Sequence, residues 1–286
     1  MPLLDSTLLS NWYKLTLPGY GKVLAESFTQ SKIQDAQNKG MIQGDIGVRV
    51  MDVGTLYYTS TISGPILISE TSEFGDLFNL IDYYVYNQRT PQSVATVAYL
   101  LKSAQVQVTT DSVRATTNFE GDFRLDAPIY NASGDVTLLA RTARFYDTTF
   151  YIGDIYYNII SADVNIGFDI DRNFFLGQGQ APFFSLRGYN ATGNVKLALN
   201  PTEYANLTTS LGSYQVSGTL KYNTGNIGLV IANNYDTEAP FGKILRLGSA
   251  FVITKIEFSM QQNSIITATI EFSSFFNSST FFRTLT

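Results

Sequence analysis

Asp163-Val164-Asn165-Ile166-Gly167-Phe168-Asp169-Ile170 is the stretch that decides the fold, because apolar and other residues alternate along it without a break. Successive side chains of a β-strand point to opposite faces of the sheet, so every second residue shares an environment. The stretch therefore predicts a half-buried strand. One face is apolar, and the other is exposed to solvent and carries Asp163 and Asp169.

The same alternation recurs before and after this strand. It occurs at residues 46–50 and 56–62, in a hairpin of residues 106–108 and 113–115, and in a final pair at residues 252–260 and 266–272. Short strands separated by turn residues favour antiparallel sheets. We therefore predict a mainly β (α+β) chain, built as an antiparallel β-sandwich or open barrel with short flanking helices.

Helical spacing appears in four places. A polar helix is predicted over residues 24–38, and an amphipathic one over residues 74–85 with Thr71 or Ser72 as its cap. Thr90-Pro91 predicts the start of a helix that reaches residue 101. Asn200-Pro201-Thr202-Glu203 predicts a capped helix to about residue 211, since it combines an Asn cap, a Pro in the first turn and a Glu at the third position.

Two of the strand-to-helix junctions resemble each other. Gly64, Ile66, Ile68, Glu73, Phe74 and Leu77 align with Gly193, Val195, Leu197, Glu203, Tyr204 and Leu207. Duplication is one interpretation, and chance recurrence of a common strand–helix unit is the other. Duplication would give an N-terminal arm (residues 1–40) followed by two tandem β domains (residues 41–152 and 153–286) of ordinary domain size.

Composition narrows the class of function. Charged residues make up 15% of the 286 residues, against about 25% in a typical soluble domain, while aromatic residues reach 14%. Charge depletion with aromatic enrichment is typical of surfaces buried between subunits. The net charge of −5 argues against a protein that binds nucleic acid tightly. The absence of Cys and His removes thiolate and imidazole chemistry. We expect a self-associating structural protein, not an enzyme, with no cofactor or metal.

Asp163, Asp169 and Asp171 form the nearest approach to a carboxylate site. Period-two spacing places them on one strand face, with the last two about 7 Å apart along the strand, a separation within reach of glycosidase chemistry. An ordinary polar strand face explains them without any chemistry and is favoured over catalysis. A third interpretation is a negative wall that repels phosphates.

Residues 171–189 combine loop-forming residues with exposed-looking aromatics. Gly177-Gln178-Gly179 lacks the Lys-Ser/Thr and the strand-to-helix setting of a phosphate loop. The segment is either an ordinary surface loop or a long hairpin that docks on a neighbouring subunit. Docking is favoured because several large apolar side chains would otherwise face water. The docking residues would be Phe174, Phe175, Leu176, Phe183 and Phe184.

From about residue 159 to the C-terminus, the chain resembles bacteriophage tail tube proteins in the order of its elements. The alternating strand leads to a Gly-bearing hairpin, and Thr192-Gly193-Asn194-Val195-Lys196-Leu197 then runs into a helix with Glu203-Tyr204. Two further hairpins close the chain with residues 253–259 and 266–272. In length it is more similar to the larger tube proteins of giant contractile-tailed phages, or to those with a duplicated domain.

The resemblance implies a virion protein assembled in the host bacterial cytoplasm into stacked rings of three or six copies. It implies a hairpin arm that reaches the next ring, tail sheath and baseplate partners if the tail contracts, and a channel that DNA passes without specific binding. Asp163, Asp169 and Asp171 would then face the lumen. The alternative from another class is a carbohydrate- or host-binding β-sandwich adhesion module. No insertion of this chain into a membrane is expected, because no apolar segment is long enough.

Overall fold

A computed structural model describes most of the chain. The described residues are 7–9, 12–17, 20–38, 51–69, 75–88, 93–94, 99–122, 130–132, 136–138, 140–153, 155–173, 183–216, 219–220, 223–232, 242–260 and 265–276. The strand predicted at residues 46–50 lies outside them.

Within these ranges the chain forms twenty strands, two α-helices and one short 3-10 helix. The helices are α1 (Leu77–Gln88), α2 (Pro201–Tyr214) and the 3-10 turn Phe145–Asp147. The strands of the first half are β1 (Thr7–Leu9), β2 (Tyr13–Leu17), β3 (Gly21–Ala25), β4 (Ser27–Asn38), β5 (Met51–Pro65), β6 (Leu67–Ser69), β7 (Ser93–Val94), β8 (Tyr99–Val108), β9 (Val113–Asp122), β10 (Tyr130–Ala132), β11 (Val136–Leu138) and β12 (Ala140–Thr142). Those of the second half are β13 (Thr148–Ile152), β14 (Ile155–Asn173), β15 (Phe183–Leu199), β16 (Gln215–Val216), β17 (Thr219–Leu220), β18 (Asn223–Ala232), β19 (Gly242–Ser259) and β20 (Ile266–Phe275).

One eleven-stranded sheet dominates the structure, in the order β4-β5-β9-β8-β14-β13-β18-β19-β20-β15-β7. Each pairing within it is antiparallel. Because β14 also pairs with β15, the six strands β14, β13, β18, β19, β20 and β15 close on themselves as a barrel. The predicted mainly β, antiparallel, barrel-like fold class is confirmed.

The strand that decides the fold lies in β14 and has the predicted alternation. Val164, Ile166 and Phe168 are buried, whereas Asn165 and Asp169 are exposed. The buried side chains join a single core with those of both halves of the chain. Burial of each such side chain contributes roughly 1.5–3 kcal/mol, so a one-residue slip of this strand would be strongly unfavourable.

Helix α2 begins as predicted. The Glu203 amide donates to Oδ1 of Asn200, and the Asn200 amide donates to Oε2 of Glu203, each over 2.8 Å. This reciprocal pair satisfies two backbone donors that the first helical turn leaves unpaired. For α1 the predicted cap was wrong: the Asn79 amide donates to Oδ1 of Asp76, which takes the place expected for Thr71 or Ser72.

Two predicted helices were also wrong. Residues 24–38 form the end of β3 and all of β4, which pairs with β5 from Ser27 opposite Ser63. In the segment after Thr90-Pro91, Val94 lies in β7 and Leu101 lies in β8. Both segments carry only a sparse apolar stripe, so pairing with strands distant in sequence overrides local spacing.

The sheet contains the same four-strand order twice. The first unit is β4-β5-β9-β8, the second is β14-β15-β20-β19, and a helix follows the second strand of each. The last strand pair of each unit has a bulge at the same place, between Leu101 and Ser103 and between Ile253 and Lys255. This matched irregularity fixes the correspondence between the two units.

The correspondence corrects the predicted alignment. Gly193 lies opposite Phe272, and the residue in that position of the first unit is Ser60, opposite Phe119, instead of Gly64. The chain runs from Gly64 to the Asp76 cap in the first unit, but only from Leu197 to the Asn200 cap in the second. An alignment anchored on the glycines and the helices therefore slips within the strand.

Candidate functional site

One face of the large sheet is polar across both four-strand units. Hydrogen bonds between side chains connect neighbouring strands along it: the Thr61 hydroxyl donates to Oδ1 of Asn118, and Nδ2 of Asn118 donates to the hydroxyl of Ser103. In the second unit the Ser273 hydroxyl donates to Oδ1 of Asn190. Side chains of this kind offer water both donors and acceptors without adding charge.

The two units meet where β8 pairs with β14. Six residue pairs form this joint, from Val108 opposite Ala162 to Ser103 opposite Gly167. On the polar face, Nε2 of Gln105 donates to Oδ1 of Asp163 over 2.9 Å, across the joint. Asp163 is thus a half-buried acceptor that connects the units.

The three candidate carboxylates are not gathered into one site. Asp163 and Asp169 lie on the same face, six residues apart, which corresponds to about 20 Å along a strand. That distance is too long for an acid/base pair of the glycosidase kind. Asp169 is exposed, and the side chain of Asp171 lies outside the described residues. The closeness of Asp169 and Asp171, on which a carboxylate pair would depend, therefore stays a prediction.

Charges of both signs are spread over the polar face. Arg114 contacts Glu26 near one end, and Lys255 contacts Glu257 over 2.8 Å and Glu271 over 3.8 Å near the other. The hydrogen bond to Glu257, together with the carboxylate of Glu271, raises the pKa of Lys255. The face therefore combines uncharged polar groups with paired charges, and the role of Asp163, Asp169 and Asp171 as a negative wall stays a prediction.

Among the strand edges that are unpaired within the part of the chain that the structure describes, two flank the pair of four-strand units. One is the outer edge of β4, and the other is the edge of β19 beyond Phe251, where β18 ends. Phe258 and Met260 lie at this second edge, with 37% and 54% of their surface exposed. Unpaired edges with exposed apolar residues are prone to pair with another chain. Sequence periodicity identified the strands but gave no sign of which edges stay open.

Helix α1 of the first unit is held against β19 of the second by charged contacts. Lys243 donates to the carboxylate of Asp76 and, over 2.8 Å, to the carbonyl oxygen of Leu67. Burial lowers the pKa of Lys243 to about 8. Arg246 pairs with Asp82 over 3.2 Å. These long-range contacts had no signal in the sequence.

The predicted hairpin arm is described only at its base. β14 ends at Asn173, β15 begins at Phe183, and β15 pairs with β7 through Phe184 opposite Val94. Phe174, Phe175 and Leu176 lie outside the described residues, as do the side chains of Phe183 and Phe184. Their role in docking stays a prediction.

Comparisons with known proteins do not assign the chain to a family. The chain matches no family model and no curated protein sequence. No group of acidic residues able to hold a metal ion occurs among the described residues. Neither described helix has the length and apolar character needed to cross a bilayer.

Proposed function

We propose that the chain is a structural virion protein that forms the stacked rings of a bacteriophage tail tube, a channel for genome delivery. The protein would be assembled in the cytoplasm of the host bacterium, with a tail sheath and a baseplate as further partners if the tail contracts. The resemblance of the second half to tube proteins motivates this proposal, and it implies no catalysis.

The observation that carries the proposal is the repeated four-strand unit. Two such units already stand edge to edge in one sheet, and the outer edge of β4 and the part of the β19 edge beyond Phe251 remain unpaired among the described residues. A protein with one edge of each kind can add copies of itself head to tail. Such heterologous contacts give closed rings when the rotation between copies closes.

The polar face supports a channel wall. DNA carries dense negative charge, and every exposed cation that faces it adds affinity through counterion release. Thr61, Asn118, Ser103 and Gln105 present uncharged groups, and Asp163 adds a negative one. Arg114 and Lys255 on this face are both paired with carboxylates. A wall of this kind lets DNA pass without holding it.

The adhesion module is the rival proposal. A sugar-binding groove needs aromatic rings exposed beside polar groups. Tyr189 lies on the opposite, apolar side of the sheet, across from Phe168: its hydroxyl donates to the carbonyl oxygen of Leu247, and its ring packs between Phe168 and Phe276. That tyrosine is therefore used internally and is not available to stack on a sugar at the polar face.

Two measurements on the purified chain separate these functions. Native mass spectrometry at tens of micromolar protein, with and without a tail initiator complex, reports the assembly state, and a glycan array reports sugar binding. Discrete rings without glycan binding are the expected result. A monomer under every condition that binds glycans would replace the tube proposal with the adhesion module.

A further inference from the structure

The joint inside the chain has two distinct sides. On the apolar side, Ala104, Val106 and Val108 of β8 are buried, with exposures of 3%, 0% and 1%. On the polar side, Gln105 donates to Asp163 of β14. The joint therefore combines backbone pairing, apolar burial and a side-chain hydrogen bond.

The free edge of β19 corresponds to the edge of β8 that forms this joint. Counting from the matched bulges, the counterparts of Ala104, Val106 and Val108 are Ile256, Phe258 and Met260. Deeper in the two strands, Tyr99 corresponds to Phe251, and both are buried. The counterparts thus keep their apolar character along the whole strand.

The free edge of β4 corresponds to the edge of β14 in the same way. Val195 of β15 and Ile62 of β5 occupy matching positions, as their partners on β20 and β9 show. Ala162 lies opposite Val195, and Phe28 lies opposite Ile62, so Phe28 is the counterpart of Ala162. Residues 28–33 are therefore the counterpart of residues 162–167. β4 has no partner on that side among the described residues.

Exposure differs between the two edges in the way that a missing partner would produce. Phe258 and Met260 have 37% and 54% of their surface exposed, although the Phe258 ring also contacts the Tyr204 ring of α2, with centroids 5.1 Å apart. The corresponding Val106 and Val108, by contrast, are buried at the joint with β14. Large apolar residues at an open strand edge favour a partner strand. Within the chain, the strand that fits an edge of this kind is β14, and β4 has the corresponding position in the first unit. The counterparts of Ala162, Val164 and Ile166 in β4 are Phe28, Gln30 and Lys32, so Phe28 supplies the apolar contact.

We propose that the open edge of β19 pairs with β4 of a second copy, antiparallel, in the register of the internal joint. Met260 then lies opposite Phe28, Phe258 opposite Gln30, Glu257 opposite Ser31 and Lys255 opposite Ile33. The carboxylate of Glu257 accepts a hydrogen bond from the hydroxyl of Thr29, in the place of the bond between Gln105 and Asp163. This inference rests on the proposed self-assembly and names the strands that carry it.

The absence of cysteine from the chain allows a direct test by disulfide formation. The test variant carries Ser31→Cys and Glu257→Cys, which the register places opposite each other. Residues directly opposite in an antiparallel pair lie about 4.5–5.5 Å apart at Cα, within the range of a disulfide. The matched internal pair is Gln105→Cys with Asn165→Cys, which lie opposite each other in the joint. The off-register control is Ser31→Cys with Ser259→Cys.

Mild oxidation should convert the test variant into covalent multimers on a non-reducing gel. The internal pair should lose its free thiols within the monomer, and the off-register control should remain uncrosslinked. Rings in micrographs without cross-linking of Ser31→Cys/Glu257→Cys would overturn this register and leave the tube proposal standing. Cross-linked open chains that never close would support the register and contradict the tube. Neither assembly nor cross-linking, with a tail initiator present, would overturn both.

Discussion

Gln105 donates a hydrogen bond to Asp163 over 2.9 Å, and this bond joins two four-strand units of one sheet. The residues are 58 positions apart in sequence, and the bond crosses the boundary between β8 and β14. The contact therefore marks the boundary at which one four-strand unit pairs with the next within a single chain.

The joint should be measurably stabilised by this bond. Replacing Gln105 by Ala removes a donor to a half-buried carboxylate, so we expect the free energy of unfolding to fall by about 1–2 kcal/mol. Urea denaturation of the monomer measures it. Gln107→Ala on the same strand, with an exposed side chain, should change stability by less than about 0.5 kcal/mol. Equal effects of the two variants would show that the Gln105 bond contributes nothing specific.

Among the contacts between α1 and β19, the contact between Lys243 and Asp76 should contribute most to the free energy of unfolding. Lys243→Met leaves a buried carboxylate without its cation, and we expect a loss of about 3–5 kcal/mol. Adding Asp76→Asn keeps the helix cap but removes the charge, so the double variant should regain part of that loss. Thermal and urea unfolding of the three variants test this. A double variant as unstable as Lys243→Met alone would contradict the unpaired-charge explanation.

Assembly should depend on the apolar residues at the open edge of β19. Phe258→Ser with Met260→Ser removes two side chains whose burial would contribute roughly 1.5–3 kcal/mol each, so the critical concentration for assembly should rise by more than tenfold. Sedimentation across a concentration series measures it. Ile244→Ser is the control, because Ile244 is similarly exposed but lies where β19 is already paired with β18. A similar rise in the critical concentration for the Ile244 variant would show that any loss of surface hydrophobicity weakens assembly, and would contradict a specific role of the open edge.

Genome passage should depend on charge at Asp163 and Asp169. Lys at both positions adds cations to the proposed wall, so DNA delivery should slow, and high salt should relieve the defect. Asn at both positions is the neutral control and should have a small effect. The measurement is the rate of DNA release from particles that carry each variant. Normal delivery by the Lys variant would remove these residues from the lumen.

The sequence predicted what depends on neighbours along the chain. The alternation around Ile166 predicted β14, and Asn200 with Glu203 predicted the start of α2, since both patterns act within a few residues. It did not predict β4, whose polar residues 29–32 are held by pairing with β5. The open edge at Phe258 and the contact between Lys243 and Asp76 depend on which distant strands meet, and no local pattern encodes that.

Electron cryomicroscopy of assemblies grown from the purified chain tests the central claim most directly. The account predicts hollow stacked rings in which each wall is a continuous sheet, with the face of Asp163 towards the lumen and β19 of one copy beside β4 of the next. Discrete particles without a lumen, or a lumen lined by a different face, would contradict it.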